Sequence, residues 1–173
     1  VQYMSVLQST ALERVSYYRE TTRFVKELRE RRPDLTLTLT GHSLGGGIAI
    51  ITGAQTGLPV VAISGVNAKL TRMSLDPPVS LEALDELTFN VVPDRDPVPQ
   101  IDDLARQYQQ IRCTADLNRP IDCHSSLRTV CELMYSCGSA PRPMLCDCVT
   151  QFGYPAPIAE DGAANFTELC EQP

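Results

Sequence analysis

Apolar residues at the start of the chain recur three, four and seven apart. Tyr3, Val6, Leu7, Ala11, Leu12, Val15, Tyr18, Phe24, Val25 and Leu28 trace the face of a long helix. Basic residues gather in its last turn, in KELRERRPD, and Pro33 ends it. The period then changes to two. Leu35–Thr40 alternates leucine and threonine, the mark of a half-buried strand, and Leu44–Thr56 resumes helical spacing with a first turn almost free of side chains. Gly57-Leu58-Pro59 is a turn, Val60–Ser64 a short buried strand, and Thr71–Leu84 a proline-interrupted connection with a short helix at Ser80–Leu84. Leu87–Val92 is a third strand, ended by PDRDPVPQID, and Ile101–Ile111 reads equally as helix or as a short extended piece. His124–Cys137 is helical, with Leu127, Val130, Cys131 and Met134 on one face, and the tail from about Gly138 is irregular and rich in proline and cysteine. Strand–helix–strand alternation predicts an α/β fold, a mostly parallel sheet with flanking helices. At 173 residues the chain is long enough for one such domain, 1–173.

Composition narrows the function classes. With 43% hydrophobic and 21% charged residues the chain reads as globular rather than disordered. A net charge of −6 argues against a nucleic-acid partner, whose phosphates demand a basic face, and against charge-driven binding to anionic lipid. No apolar run is long enough to span a bilayer. All seven cysteines lie beyond residue 112. There is no Cys-x-x-Cys and the chain has only two histidines, so disulfides in an oxidising compartment are expected rather than a metal site. Seven is odd, which leaves one cysteine over. Asn165-Phe166-Thr167 is a glycosylation sequon and agrees with a secretory route.

Candidate chemistry sits where the strand pattern turns into the helix pattern. Gly41-His42-Ser43-Leu44-Gly45 is a G-x-S-x-G nucleophile elbow with a strand before it and a helix after it. A serine at the tip of such a turn lies in crowded backbone. Gly41 and Gly45 are expected to remove Cβ atoms that would collide, and Gly46 and Gly47 to let the helix pack close. The helix N-terminus then points at Ser43, and the Leu44 N–H is placed to stabilise an oxyanion. A serine nucleophile needs a base. His42 adjoins the serine and should point away, which leaves His124 by elimination; opening a helix, it should be held neutral by the dipole. The orienting carboxylate should follow a later strand, where FNVVPDRDPVPQID offers Asp94 and Asp96.

LTGHSLGGGIA together with VVPDRDPVP resembles the fungal-type class 3 lipases of the α/β-hydrolase superfamily, over roughly Tyr3 to Gln100. The resemblance implies an α/β-hydrolase fold and singles out Asp96 as the acid beside the Ser43 nucleophile. It does not extend to the cysteine-rich context of His124. Nor does the chain hold the oxyanion loop and lid that the family places upstream of the elbow; it contains no His-Gly dipeptide.

The resulting expectation is a serine ester hydrolase acting on acyl lipids, with no cofactor or metal, transient contact with a lipid interface, and a secreted or secretory-pathway location. A phospholipase A1, a feruloyl or other carboxylesterase, and a non-catalytic binder of lipid or protein remain as alternatives on the same scaffold. The family's strand order puts the two later strands on one side of Leu35–Thr40. The domain is therefore expected to lack its N-terminal strands in this chain, to be poorly soluble or inactive alone, and to need an upstream segment or a second chain.

Overall fold

A computed structural model describes residues 17–136, 145–155 and 170. The chain divides into two compact units, Val1–Val92 with Asp96–Gln110, and Pro93–Arg95 with Ile111–Pro173.

In the first unit, helix α1 (Tyr17–Arg31) buries Tyr18, Thr22 and Val25, a four-three spacing. Phe24, expected on that face, is instead exposed. The Tyr18 hydroxyl accepts from the Asp76 N–H at 3.1 Å, and the Thr22 hydroxyl donates to Gln55 Oε1 at 3.0 Å. Strand β1 (Leu39–His42) leads into helix α2 (Leu44–Thr56), then β2 (Val60–Ile63), α3 (Leu81–Leu87), β3 (Thr88–Pro93) and β4 (Gln107–Ile111). The sheet order is β1-β2-β3-β4, and β1–β2 and β2–β3 pair in parallel. This is the α/β architecture expected from the alternation of elements, with β1 at one end of the sheet among the described residues. Tyr18, Ile50, Ile51, Val60, Ala62, Leu75, Val79 and Leu84 form the core between helices and sheet.

Several boundaries differ from the sequence pattern: the helix expected at Ser80–Leu84 runs on to Leu87, so that β3 starts one residue late at Thr88, and β2 ends at Ile63. β1 starts at Leu39, not Leu35. Its ladder can begin only where β2 begins; Leu39 faces Val60 in register and donates to the Pro59 carbonyl at 2.9 Å. Leu35–Thr38 runs ahead of that partner and remains outside the ladder. Of the ambiguous 101–111 stretch, Gln107–Ile111 forms strand β4 at the other end of the sheet among the described residues, with only Ile111 of the strand buried, and 101–106 is irregular.

The junction of β1 and α2 is a close backbone approach. A Cβ on Gly41 would lie 2.4 Å from the Gly45 carbonyl oxygen and 2.8 Å from the Gly46 nitrogen. One on Gly46 would lie 2.8 Å from Gly65 Cα, and one on Gly47 would lie 3.0 Å from the Val66 carbonyl oxygen. Gly45 corrects the expectation: a Cβ there meets nothing within 4 Å. The crowding falls on Gly41, because it is the Gly45 backbone, not a Gly45 side chain, that occupies the space.

In the second unit, a one-turn 3-10 helix (Pro120–His124) precedes helix α4 (Ser126–Ser136), and a short helix α5 (Cys146–Thr150) follows. Disulfides join Cys113 to Cys123, Cys131 to Cys148 and Cys146 to Cys170. They are compatible with a secretory-pathway protein. Cys137 and the Asn165 sequon lie outside the described residues, as do the helical positions before Tyr17. α4 buries Thr129, Cys131 and Glu132, whereas Val130 is exposed, so the buried face is turned from the one expected. The reason is the pairing chemistry of that face. Cys131 is tied to Cys148, and buried Glu132 accepts from the hydroxyls of Tyr154 and Ser136. Tyr154 also stacks on Tyr135 with ring centroids 4.7 Å apart, and the Arg128 guanidinium lies 4.3 Å from the Phe152 ring centroid.

Two predictions follow from this packing. Burial, reinforced by the Glu132 carboxylate, pushes the Tyr154 hydroxyl up to about 12 from an ordinary value of 10.0. Its neutral form therefore stabilises the fold fully below about pH 10, and that contribution is lost as pH rises towards about 12. The stability gap between the parent and Tyr154→Phe, measured by denaturant unfolding, should be constant from neutral pH to about 10 and should close above it. At the elbow, Gly41→Ala should cost about 1–3 kcal/mol through overpacking. Gly45→Ala should be neutral or stabilising by up to about 1 kcal/mol, since alanine favours a helix and meets no obstacle. Equal destabilisation by the two would contradict this account of the junction.

Candidate active site

Ser43 stands between the last residue of β1 and the first of α2. Its N–H donates to the Ile63 carbonyl at 3.1 Å, and its own carbonyl accepts from the Gly47 N–H at 3.1 Å, the first bond of the helix. Between these anchors the backbone adopts φ 59°, ψ −127°. For a residue with a Cβ this is strained by roughly 1–3 kcal/mol, and such conformations persist only where the surroundings impose them. The Ser43 side chain makes no capping hydrogen bond to α2. The helix geometry leaves the Leu44 N–H and its neighbours without an intrahelical carbonyl at the positive end of the dipole. The Leu44 side chain is about half exposed. His42 closes β1 opposite Ile63.

The two acids beyond β3 have opposite environments. Asp94 is exposed, and its carboxylate lies 4.0 Å from Arg95 Nε. Asp96 is fully buried, and its Oδ1 accepts from the Val98 N–H at 2.9 Å. Arg95 between them takes a left-handed φ of 62°. Its guanidinium donates to the carbonyls of Cys113, Ala115 and Asp116 at 2.9–3.1 Å. Asp94 and Arg95 thus belong to the second unit and Asp96 to the first, together with Ser43.

His124 lies in the second unit, at the end of the 3-10 helix and next to Cys123, which is fixed to Cys113. It does not open α4 as expected. The helix starts at Ser126, and Ser125 caps it: its hydroxyl accepts from the Arg128 N–H at 3.3 Å and its carbonyl from the Thr129 N–H at 3.0 Å. A serine is the better cap because its short side chain reaches the first-turn amides. The dipole argument for a neutral His124 therefore loses its basis.

Sequence reasoning passed over Asn67 and Asn90, both 4% exposed and hydrogen-bonded to each other. A signal for Asn90 was present. It is an asparagine inside the otherwise apolar TFNVV strand, and a polar residue at a buried strand position needs partners. Nothing in sequence marked Arg95, whose partners lie 18 to 21 residues away. Among the described residues no cluster of three or more His, Cys, Asp or Glu side chains could hold a metal.

With this geometry in hand, similarity to known proteins is informative. Residues 3–57 match the family described as "Lipase (class 3)". That segment contains α1, β1, the elbow and all of α2. Proteins named "Putative lipase ATG15" are similar over part of the chain. The one from Vanderwaltozyma polyspora is 33% identical over 94 residues, 53% of this chain and 17% of that protein. The one from Candida glabrata is 33% identical over 84 residues, 47% and 17%. The Penicillium rubens protein is 37% identical over 62 residues, 36% and 9%. The matches thus span less than a fifth of these relatives' own length. The segment that carries the strand–elbow–helix junction is therefore similar to the class 3 lipase family, and about half of this chain is similar to the lipase-named relatives.

Proposed function

We propose that the protein is a serine ester hydrolase that cleaves acyl-lipid carboxylic esters through Ser43, His124 and Asp96. The observation that carries this reading is the Ser43 backbone. A non-glycine residue is held at φ 59° on a strand-to-helix turn, within the segment matched to a lipase family. Strain of this kind is retained where it presents a side chain for chemistry.

In this mechanism His124 takes the Ser43 hydroxyl proton as Oγ attacks the ester carbonyl. The developing oxyanion accepts from the Leu44 N–H at the positive end of α2. His124 then protonates the leaving alcohol, leaving an acyl group on Ser43. Water, deprotonated by His124, attacks that acyl group, the bond to Ser43 Oγ breaks as His124 returns the proton to Oγ, and the fatty acid is released. Asp96 orients the imidazole and stabilises its cation. The burial of Asp96 favours it over Asp94 for this role, since an exposed carboxylate is screened by water. His124 is assigned by elimination: His42 is the chain's only other histidine and lies next to the nucleophile.

The test is turnover of a short-chain p-nitrophenyl ester by the complete protein, with labelling by a fluorophosphonate probe beside it. Ser43→Ala should abolish both while leaving the circular dichroism spectrum unchanged. Asp96→Asn should lower kcat on the order of 10⁴-fold, the scale of a lost orienting carboxylate in a serine hydrolase. Asp94→Asn should change it by less than about tenfold, as expected of an exposed charge. Near-parental turnover in Ser43→Ala would reject the nucleophile, and a reversed ranking of the two acids would transfer the orienting role to Asp94.

A further inference from the structure

Where β2 ends, the backbone of Gly65 is buried and has passed beyond the strand ladder. Asn90, on the neighbouring strand β3, takes over its pairing. Asn90 Oδ1 accepts from the Gly65 N–H at 3.1 Å, and Asn90 Nδ2 donates to the Gly65 carbonyl at 3.0 Å. One primary amide thus reproduces both bonds a neighbouring strand would have made. The same Nδ2 donates to Asn67 Oδ1 at 3.2 Å, and Asn67 Nδ2 donates to the Pro99 carbonyl at 2.5 Å. Pro99 is fully buried and ends the short turn whose Val98 N–H donates to Asp96. At the other end of the chain of contacts, Gly65 is the backbone against which Gly46 packs, in the first turn of α2.

A continuous line of bonds and contacts therefore runs from the elbow helix to the turn holding the acid: Gly46, Gly65, Asn90, Asn67, Pro99, Asp96. The four amide bonds from Gly65 to Pro99 are buried, and the last link, the Val98 N–H to Asp96, is partly buried. A loop following a strand is ordinarily free to shift. This one is fixed to the same glycine that sets the position of α2. Within this unit the buried amide pair has a positional consequence that a pair of apolar residues would lack.

We propose that Asn67 and Asn90 are positioning residues for Asp96, setting the 96–99 turn in register with the nucleophile elbow. The inference rests on the reading of Asp96 as the orienting acid and adds residues to it. Asn67 and Asn90 touch neither substrate nor reacting atoms; they act through Pro99 and Gly65.

The test compares Asn67→Ala with its parent in the complete protein, using the p-nitrophenyl ester and counting competent sites by fluorophosphonate titration. Misplacing a catalytic group by about 1 Å costs about 10²-fold, so kcat per titrated site should fall by up to that factor with KM unchanged. Asn67→Ser, which keeps a shorter donor, should recover part of the loss. In an Asp96→Asn background, Asn67→Ala should cost no more than about twofold further, because its effect passes through the missing carboxylate. Where the alanine variant fails to fold, Asn90→Asp serves in its place. It keeps the acceptor for the Gly65 N–H and removes both donated bonds, and the same lack of additivity is expected. A kcat per site within about twofold of parental, or losses that add to that of Asp96→Asn, would overturn the positioning role while leaving the acid intact. Unchanged turnover in Asp96→Asn itself would instead reject the acid, and the positioning role with it.

Discussion

The close approach of the first turn of α2 to β1 and to Gly65 governs the rest of the first unit. Where Gly41 faces the Gly45 carbonyl, and Gly46 faces Gly65 Cα, there is no room for a Cβ. This closeness lets the chain turn from strand to helix within one residue, and that residue is Ser43. Its unfavourable dihedrals are imposed from both sides. The β1–β2 ladder fixes the strand, and Ile50 and Ile51 on α2, buried in the core, fix the helix. Burying two such side chains contributes several kcal/mol in total, at roughly 1.5–3 kcal/mol each. That exceeds the roughly 1–3 kcal/mol of strain at one residue. The turn can therefore be held without any contribution from the Ser43 hydroxyl to the helix.

Such close packing creates a second demand. Backbone pressed against backbone is buried backbone, and each polar group left unpaired there costs about 1–3 kcal/mol. Gly65 lies beyond the end of the β2 ladder, so its N–H and carbonyl need a partner that is not a strand. Asn90 satisfies both with one side chain, and Asn67 satisfies what remains of the Asn90 amide. The glycines and the asparagines are two halves of one solution. The first allow the elements to approach, and the second pair the polar groups that the approach removes from water.

These halves differ in how legible they are in the sequence. The elbow was readable because its determinants are contiguous: five residues, with period two before them and period 3.6 after, place Ser43 and fix α2 at Leu44–Thr56 without reference to the rest of the chain. β2 and β3 were readable for the same reason, as short apolar runs bounded by turn residues. What escaped depends on partners distant in sequence. The start of β1 is set by where β2 begins, which alternation in Leu35–Thr40 cannot reveal. The buried face of α4 is set by Cys148 and Tyr154, so helical spacing alone favoured Val130, which is exposed. The glycine pair of the elbow suggests two collisions, whereas a single one, between a Cβ at Gly41 and the Gly45 backbone, uses up the space. The cysteine count foretold disulfides and could not foretell their connectivity.

Asp94-Arg95-Asp96 shows most plainly how environment separates chemically identical residues. A strand continuing past Pro93 would alternate its side chains evenly between two faces. The left-handed backbone of Arg95 breaks that alternation, and its guanidinium is committed to three carbonyls of the second unit. Asp94 stays in water, while Asp96 is carried into the interior of the first unit. Burying a carboxylate opposes stability unless its charge is compensated, and an apolar residue of similar size would ordinarily serve a core better. The neighbouring Asp94 demonstrates that the same segment can leave an acid in solvent at no such cost. The two acids are thus separated by the backbone that carries them and not by their own chemistry. That asymmetry is the physical ground on which Asp96, and not Asp94, is proposed as the orienting acid.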